Sequence, residues 1–336
     1  MPVSSRRTLR PTRLLWAGIA AILLLATAAC GSSDAPAEAD STRTVQDMEG
    51  TAIAVPAHPK RVVTLSEPTL DGALALGVTP VGTVAGRGQS TVPHYLADLA
   101  GDIPVVGNIA NPDYEAIAAL HPDLILVDGT SINNNAEVIG ILGEIAPTVQ
   151  TGYAGGDWRA NFALVADALN RTDQADGVVT DYEKSVAAAK KKLTGYAGQT
   201  FSIVRWQGGS ASLILSELPA GIALSDLGLE RPPAQDRRGR GHSEPVSLEN
   251  LGLIDADQMF FGTLGGSSQS NPDAGGTSDV AGAQKALAQA EKVPGFTALK
   301  AYQDGNIHLV DGSLWTSTGG PLLMQRIVAS VPETLG

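Results

Sequence analysis

Residues able to do chemistry are few in this chain, and they are scattered. There are five histidines, His58, His94, His121, His242 and His308, and one cysteine, Cys30. No two histidines stand at metal-ligand spacing and none has a cysteine partner, so the pattern predicts no protein-bound metal and no cofactor. Gly241-His242-Ser243-Glu244-Pro245 approaches the Gly-x-Ser-x-Gly turn of serine hydrolases. That turn needs a strand directly before the serine and a helix directly after it. Here a polar Arg- and Gly-rich loop precedes the serine and Pro245 closes the motif. No enzyme is expected, and a serine hydrolase is kept only as a distant alternative. What remains is arginine and tryptophan beside β-type runs. Arg205 and Trp206 follow the run from Phe201, Arg87 stands between Gly86 and Gly88, and Trp315 follows the run Ile307 to Val310. Arg237, Arg238 and Arg240 share one glycine-containing loop.

The elements that position these residues alternate between strand and helix. Arg61 to Leu65 is a short apolar strand, Thr69 to Leu76 has helical spacing and stops at Gly77, and Val78 to Val84 reads as the next strand. Such alternation implies βαβ units with parallel sheets. The segment Asp113 to Val127 is echoed, 134 positions later, by Ser247 to Phe261. Each copy opens on a residue that caps helices, places a glutamate (Glu115, Glu249) in the first turn, and runs through an aspartate into four strand-like residues. Leu76-Gly77-Val78 and Leu227-Gly228-Leu229 form a second parallel. Between the copies lies a helical stretch without strand signal, Trp158 to Asn170 and then Asp173 to about Leu193, the latter roughly 30 Å long at 1.5 Å per residue. The expected fold is α/β, with two Rossmann-like lobes of parallel-rich sheets joined by one long α-helix and a ligand cleft between them. In a parallel sheet ligands meet the carboxyl ends of the strands, which is where Arg205 and Arg87 fall.

The N-terminal region reads as an address. Arg6, Arg7, Arg10 and Arg13 precede an apolar run, Leu14 to about Ala26, of roughly 13 residues, too short for an ordinary membrane-spanning helix. Small residues then lead into Cys30, the order of a secretory signal. Ser5-Arg6-Arg7-Thr8-Leu9 resembles a twin-arginine export motif in part, which leaves the route open. Residues 31–40 are small, acidic and Pro-containing, a composition that cannot bury enough apolar surface to order itself. The boundaries expected are a signal peptide at 1–29, a lipidated Cys30 with a tether to 44, an N-terminal lobe at 45–156, helical linkers at 157–193 and a C-terminal lobe at 194–336. The leader holds 4 of the 23 basic residues and none of the 35 acidic ones, leaving 19 against 35 and a mature charge near −16. That balance argues against nucleic acid and against an electrostatic grip on anionic lipid.

Three stretches, taken in order, carry a family resemblance. They are Arg61 to Leu65 with Ala75-Leu76-Gly77, Asn111 to Leu126, and Val246 to Leu251. Together they resemble the bacterial substrate-binding proteins of ABC importers for ferric siderophores, haem and cobalamin, over roughly residues 45 to 330. The small residues before Cys30 are similar to a lipobox, although Thr27 stands where leucine is usual. The resemblance implies a monomer anchored to the outer face of the cell membrane through acylated Cys30, which binds a ferric siderophore and delivers it to an ABC permease. Haem, cobalamin or a direct metal ion are the alternatives within the same class. It also implies ligand contacts near Arg87, Arg205, Trp206, Arg240 and Trp315, and permease docking through Glu115 and Glu249. Arginine suits an anionic chelate because its planar fork stays ionised. The arginines favour a catecholate, carboxylate or citrate complex, whereas the tryptophans also suit a hydroxamate. Two departures from the family pattern stand out. Ser66-Glu67-Pro68 places a carboxylate at a strand end near the cleft, and Gly262 to Ser278 reads as a Gly- and Ser-rich insertion at the cleft rim.

Overall fold

The computed structural model describes residues 41–336 except 133, 240–242, 268–270 and 272–274. Strand β1 (Thr42–Gln46) pairs with β2 (Ala52–Pro56) in an antiparallel hairpin, so residues 42–44 of the stretch read as tether belong to a strand. Then follow β3 (Val62–Thr64), α1 (Glu67–Ala75), β4 (Gly82–Ala85), α2 (Ala97–Ala100), β5 (Val105–Asn108), β6 (Asn111–Pro112), α3 (Tyr114–Ala119), β7 (Leu124–Val127), α4 (Ala136–Ile145) and β8 (Thr148–Gln150). The first sheet runs β6-β5-β4-β3-β7-β8, parallel except for β6. Its order reverses between β3 and β7, the switch point at which open α/β sheets bind ligands.

Two helices follow without an intervening strand, α5 (Trp158–Ala168) and α6 (Thr172–Lys190). Both were legible as helices, and α6 is 19 residues long. The second sheet uses β9 (Phe201–Gln207), β10 (Ser210–Leu213), β11 (Glu244–Val246), β12 (Gln258–Gly262) and β13 (Ile307–Leu309), in the order β11-β10-β9-β12-β13. Strands β9, β12 and β13 are parallel. The remaining helices are α7 (Pro219–Asp226), α8 (Val280–Ala290), α9 (Lys300–Gln303), α10 (Gly312–Trp315) and α11 (Pro321–Leu335). Residues Ala39–Gly336 form one compact unit carrying both sheets.

The sequence repeat is a structural repeat with a physical reason at each matched position. Asp113 caps α3 by accepting the Ala116 N–H at 3.0 Å, and Ser247 accepts the Glu249 N–H at 3.4 Å. Asp123 accepts the N–H groups of Lys60 and Arg61 at 2.8 and 2.9 Å, just before β3. Asp257 accepts the N–H and hydroxyl of Thr200 at 2.8 and 2.9 Å, just before β9. Each aspartate therefore ties the end of its repeat to the first strand of its own sheet. Gly77 and Gly228 end α1 and α7 with φ of 71° and 77°, left-handed values that glycine adopts without a Cβ penalty. Strand β4 starts later than its apolar pattern suggests because the Val78 N–H is spent on the Ala73 carbonyl, closing the preceding helix.

Candidate functional site

Strands β3, β4 and β7 end together, and the residues just past them form one wall of a cleft. A cavity of about 390 Å³ is lined by Arg87, Gln89, Asn108, Thr130 and Ser131 from the first sheet's strand ends, with Ser267 from the far side. The two sides touch where the Gly266 N–H donates to the Gly88 carbonyl at 3.2 Å. Gly88 has φ of 66°, and a Cβ there would lie 2.6 Å from the Leu264 carbonyl oxygen, so this approach needs glycine.

Below the cavity, charged groups from both sheets converge. Glu67 opens α1 and is 2% exposed. Its Oε1 accepts the Arg87 backbone N–H at 2.9 Å, and its Oε2 accepts from Arg87 Nη1. The same Nη1 donates to Thr318 Oγ1 at 3.0 Å. Asp128, just past β7, is also buried. Burial pushes its carboxyl above the usual range, and the nearby Arg87 charge opposes that shift. Arg205, near the carboxyl end of β9, donates from Nη1 to the Thr316 carbonyl at 3.2 Å and from Nη2 to Ser243 Oγ. It forms no ion pair among the described residues. Burial and the Arg87 charge push its guanidinium down to about 10, so it stays cationic at neutral pH. The turn Thr316–Thr318 gathers Arg87, Arg205 and Glu67, since the Ser317 hydroxyl also donates to Glu67 Oε1 at 3.4 Å.

The structure brings Arg87 and Arg205 together and removes both tryptophans from the cleft. Trp206 is 0% exposed, stacked on Phe261 and edge-on to Phe296. Side chains alternate along a strand, so Arg205 and Trp206 point to opposite faces of β9 and cannot both meet one ligand. Trp315 is 2% exposed and stacks on Phe260 at 4.1 Å, because Asp311 caps a short helix that turns the indole onto β12. Both are corrected to core residues. Arg237 pairs with Glu244, and Arg238 donates to the Gly155 carbonyl at 2.8 Å. Arg240 and Cys30 lie outside the described residues. Glu115 and Glu249 are exposed, each in the first turn of its helix. Sequence reasoning missed Asp128 and the turn Thr316–Thr318. The signal for Asp128 was its place after the second β strand flanking the switch point. Among the described residues, no group of three His, Cys, Asp or Glu side chains is placed to hold a metal ion.

Two α/β sheets beside a cleft, with cations at the strand ends, are the architecture of a solute-binding protein. Residues 62–314 match the family described as periplasmic binding protein, and the chain belongs to that family. The probable siderophore-binding lipoprotein YfiY of Bacillus subtilis (strain 168) is 31% identical over 316 residues, covering 91% of this chain and 92% of that protein. The Fe(3+)-citrate-binding protein YfmC of the same organism is 27% identical over 314 residues, covering 90% of this chain and 91% of that protein. The crystal structure of Staphylococcus aureus SirA complexed with staphyloferrin B superposes with a TM-score of 0.71 at 26% identity, covering 88% of this chain and 98% of SirA.

Proposed function

We propose that this chain is an extracytoplasmic receptor that binds a ferric siderophore between its two sheets and delivers it to an ABC importer. The observation that carries the reading is Arg205, a part-buried guanidinium at a strand end with no carboxylate partner among the described residues. A desolvated cation is stabilised by an anionic partner, and the cleft is where such a ligand enters. The relatives named for siderophores and ferric citrate support the same ligand class. In this reading Arg205 supplies the charge, Arg87 supplies hydrogen bonds from the opposite wall, and Arg240 is a further candidate ligand contact. Ser243 accepts from Arg205, a ligand-site role rather than that of a nucleophile. The iron is cargo, already enclosed by its chelator, so no protein ligand to it is required. Glu115 and Glu249, exposed at matched positions of the repeat, are the permease contacts, and acylated Cys30 is the anchor to the outer face of the membrane. The test is calorimetric titration of the protein with ferric hydroxamate, catecholate and citrate chelates, haem, cobalamin and zinc. Saturable binding of one ferric class is expected. Binding of only haem, cobalamin or zinc would overturn the iron assignment.

A further inference from the structure

Glu67 is an unusual residue for an anion-binding wall. It stands at the end of β3, beside the cleft, and its carboxylate is held from four directions. The Arg87 backbone N–H, Arg87 Nη1 and the Ser317 hydroxyl all donate to it. Its position in the first turn of α1 adds the positive end of the helix dipole. The partner in this pair, Arg87, is the one charged side chain among the described residues lining the cavity. Its side chain is 13% exposed against 2% for Glu67, so the guanidinium is presented to the cavity with its charge already matched from behind. The neighbouring recess adds no net positive charge. It is lined by Lys285, His94 and Asp279, and His94 meets Asp311 at 2.5 Å.

Charge is what separates the main chemical classes of ferric chelate. Ferric ion held by three catecholates carries three negative charges, and held by three hydroxamates it carries none. A wall with two free guanidinium charges favours the first. A wall in which one of the two is matched by a buried carboxylate penalises it, because the carboxylate repels the chelate and the desolvated site screens that repulsion poorly.

We propose that Glu67 is a specificity-determining residue that withholds the charge of Arg87 from the ligand and so selects ferric chelates of low net charge, of the hydroxamate or mixed hydroxamate–carboxylate class, over trianionic tris-catecholates. The proposal rests on the ferric-chelate reading above. Arg87 remains a hydrogen-bond donor to the ligand, and Arg205, which does not line the cavity, remains the unmatched charge beneath it. Arg240 and His242 are common to the native chain and its variants, so a comparison between them isolates Glu67.

The experiment is calorimetric titration of the full chain in detergent micelles with a neutral cyclic ferric trihydroxamate and a ferric tris-catecholate. It compares the native protein, Glu67→Gln, and Glu67→Gln combined with Arg87→Gln. The native protein is expected to prefer the trihydroxamate. Glu67→Gln should shift the affinity ratio roughly tenfold or more toward the tris-catecholate, since one guanidinium charge is uncovered near a trianion. The double variant should return the ratio to within about threefold of native, because it removes both members of the pair. A role confined to stability would alter the melting temperature and leave the ratio unmoved, and an unmoved ratio in Glu67→Gln overturns the proposal. So does a native preference for the tris-catecholate. If Glu67→Gln does not fold, Arg87→Gln decides: it leaves the carboxylate unmatched and should shift the ratio further toward the trihydroxamate, and an unmoved ratio there overturns the proposal. Binding of neither probe nor any other ferric chelate by the native protein overturns the ferric-chelate reading itself.

Discussion

Arg87 and Arg205 each stand near the carboxyl end of a parallel strand, one in each half of the molecule, and their surroundings make them different groups. Arg87, past β4, is bound to a buried carboxylate from its own sheet and to a hydroxyl from the other side. Arg205, on β9, finds only a carbonyl and a hydroxyl. The pair shows that counting arginines in a cleft does not give its charge. What an arginine offers a ligand depends on whether a carboxylate has already met it, and a buried pair contributes hydrogen bonds and geometry more than field. The two halves differ in the same way elsewhere. The repeat supplies equivalent scaffolding, while the strand ends differ.

Substitutions in each half test how far the two differ. The largest effect is expected at the exposed glutamates. Replacing Glu115 and Glu249 together with alanine should abolish siderophore-dependent iron uptake by cells while leaving ligand affinity within about twofold, since neither side chain touches the cleft. Loss of binding in the purified variant would remove them as docking residues. Next comes Trp206→Ala, which empties the core between Phe261 and Phe296 and should lower unfolding free energy by about 3–5 kcal/mol in chemical denaturation. A loss of ligand affinity with unchanged stability would return Trp206 to the cleft. The smallest effects test the equivalence of the scaffolds. Asp123→Ala and Asp257→Ala should each cost about 1–2 kcal/mol, because each leaves backbone donors ahead of a first strand without their acceptor. Denaturation that showed one to be neutral would mean the two repeats are not held alike.

Acid behaviour offers a further distinction. Asp71 on α1 is buried and accepts the N–H groups of Leu322 and Leu323 at the start of α11, each at 2.9 Å. Burial raises its pKa from 3.8 to about 6. A carboxyl raised in the fold contributes stability that is fully present below the unfolded value and is lost as pH rises through the folded one. The melting temperature of the native protein relative to Asp71→Asn should therefore fall between pH 4 and pH 6 and level off above about 7. A difference that does not change with pH would show Asp71 to be ionised throughout.

Much of the scaffold was legible in the sequence because it rests on local rules. Capping residues at Asp113 and Ser247, left-handed glycines at Gly77 and Gly228, and the strand–helix alternation all act within a few residues of one another. The two helices between the sheets followed from amphipathic spacing and from charge at their ends, although the cap of α6 is Arg171 rather than the Thr172 that the sequence suggests. The site was legible only in part. That Arg205 and Arg87 lie at strand ends follows from the βαβ pattern, whereas which face of β9 holds Trp206 depends on what packs against each side of that strand. The neutralisation of Arg87 joins residues 20 positions apart, and the turn that gathers both arginines lies more than a hundred positions beyond Arg205. Such pairings are set by tertiary geometry, and no sequence period encodes them.

In the proposed function, Arg205 carries the free charge that holds the ligand. The most direct measurement is the affinity of native protein and of Arg205→Gln for the ferric chelate selected by the calorimetric panel, across a range of salt concentration. A charge-assisted contact of this kind is worth about 1.5–3 kcal/mol, so affinity should fall about tenfold to a hundredfold and the salt dependence should weaken. Equal affinities and equal salt dependence for the two proteins would contradict the account.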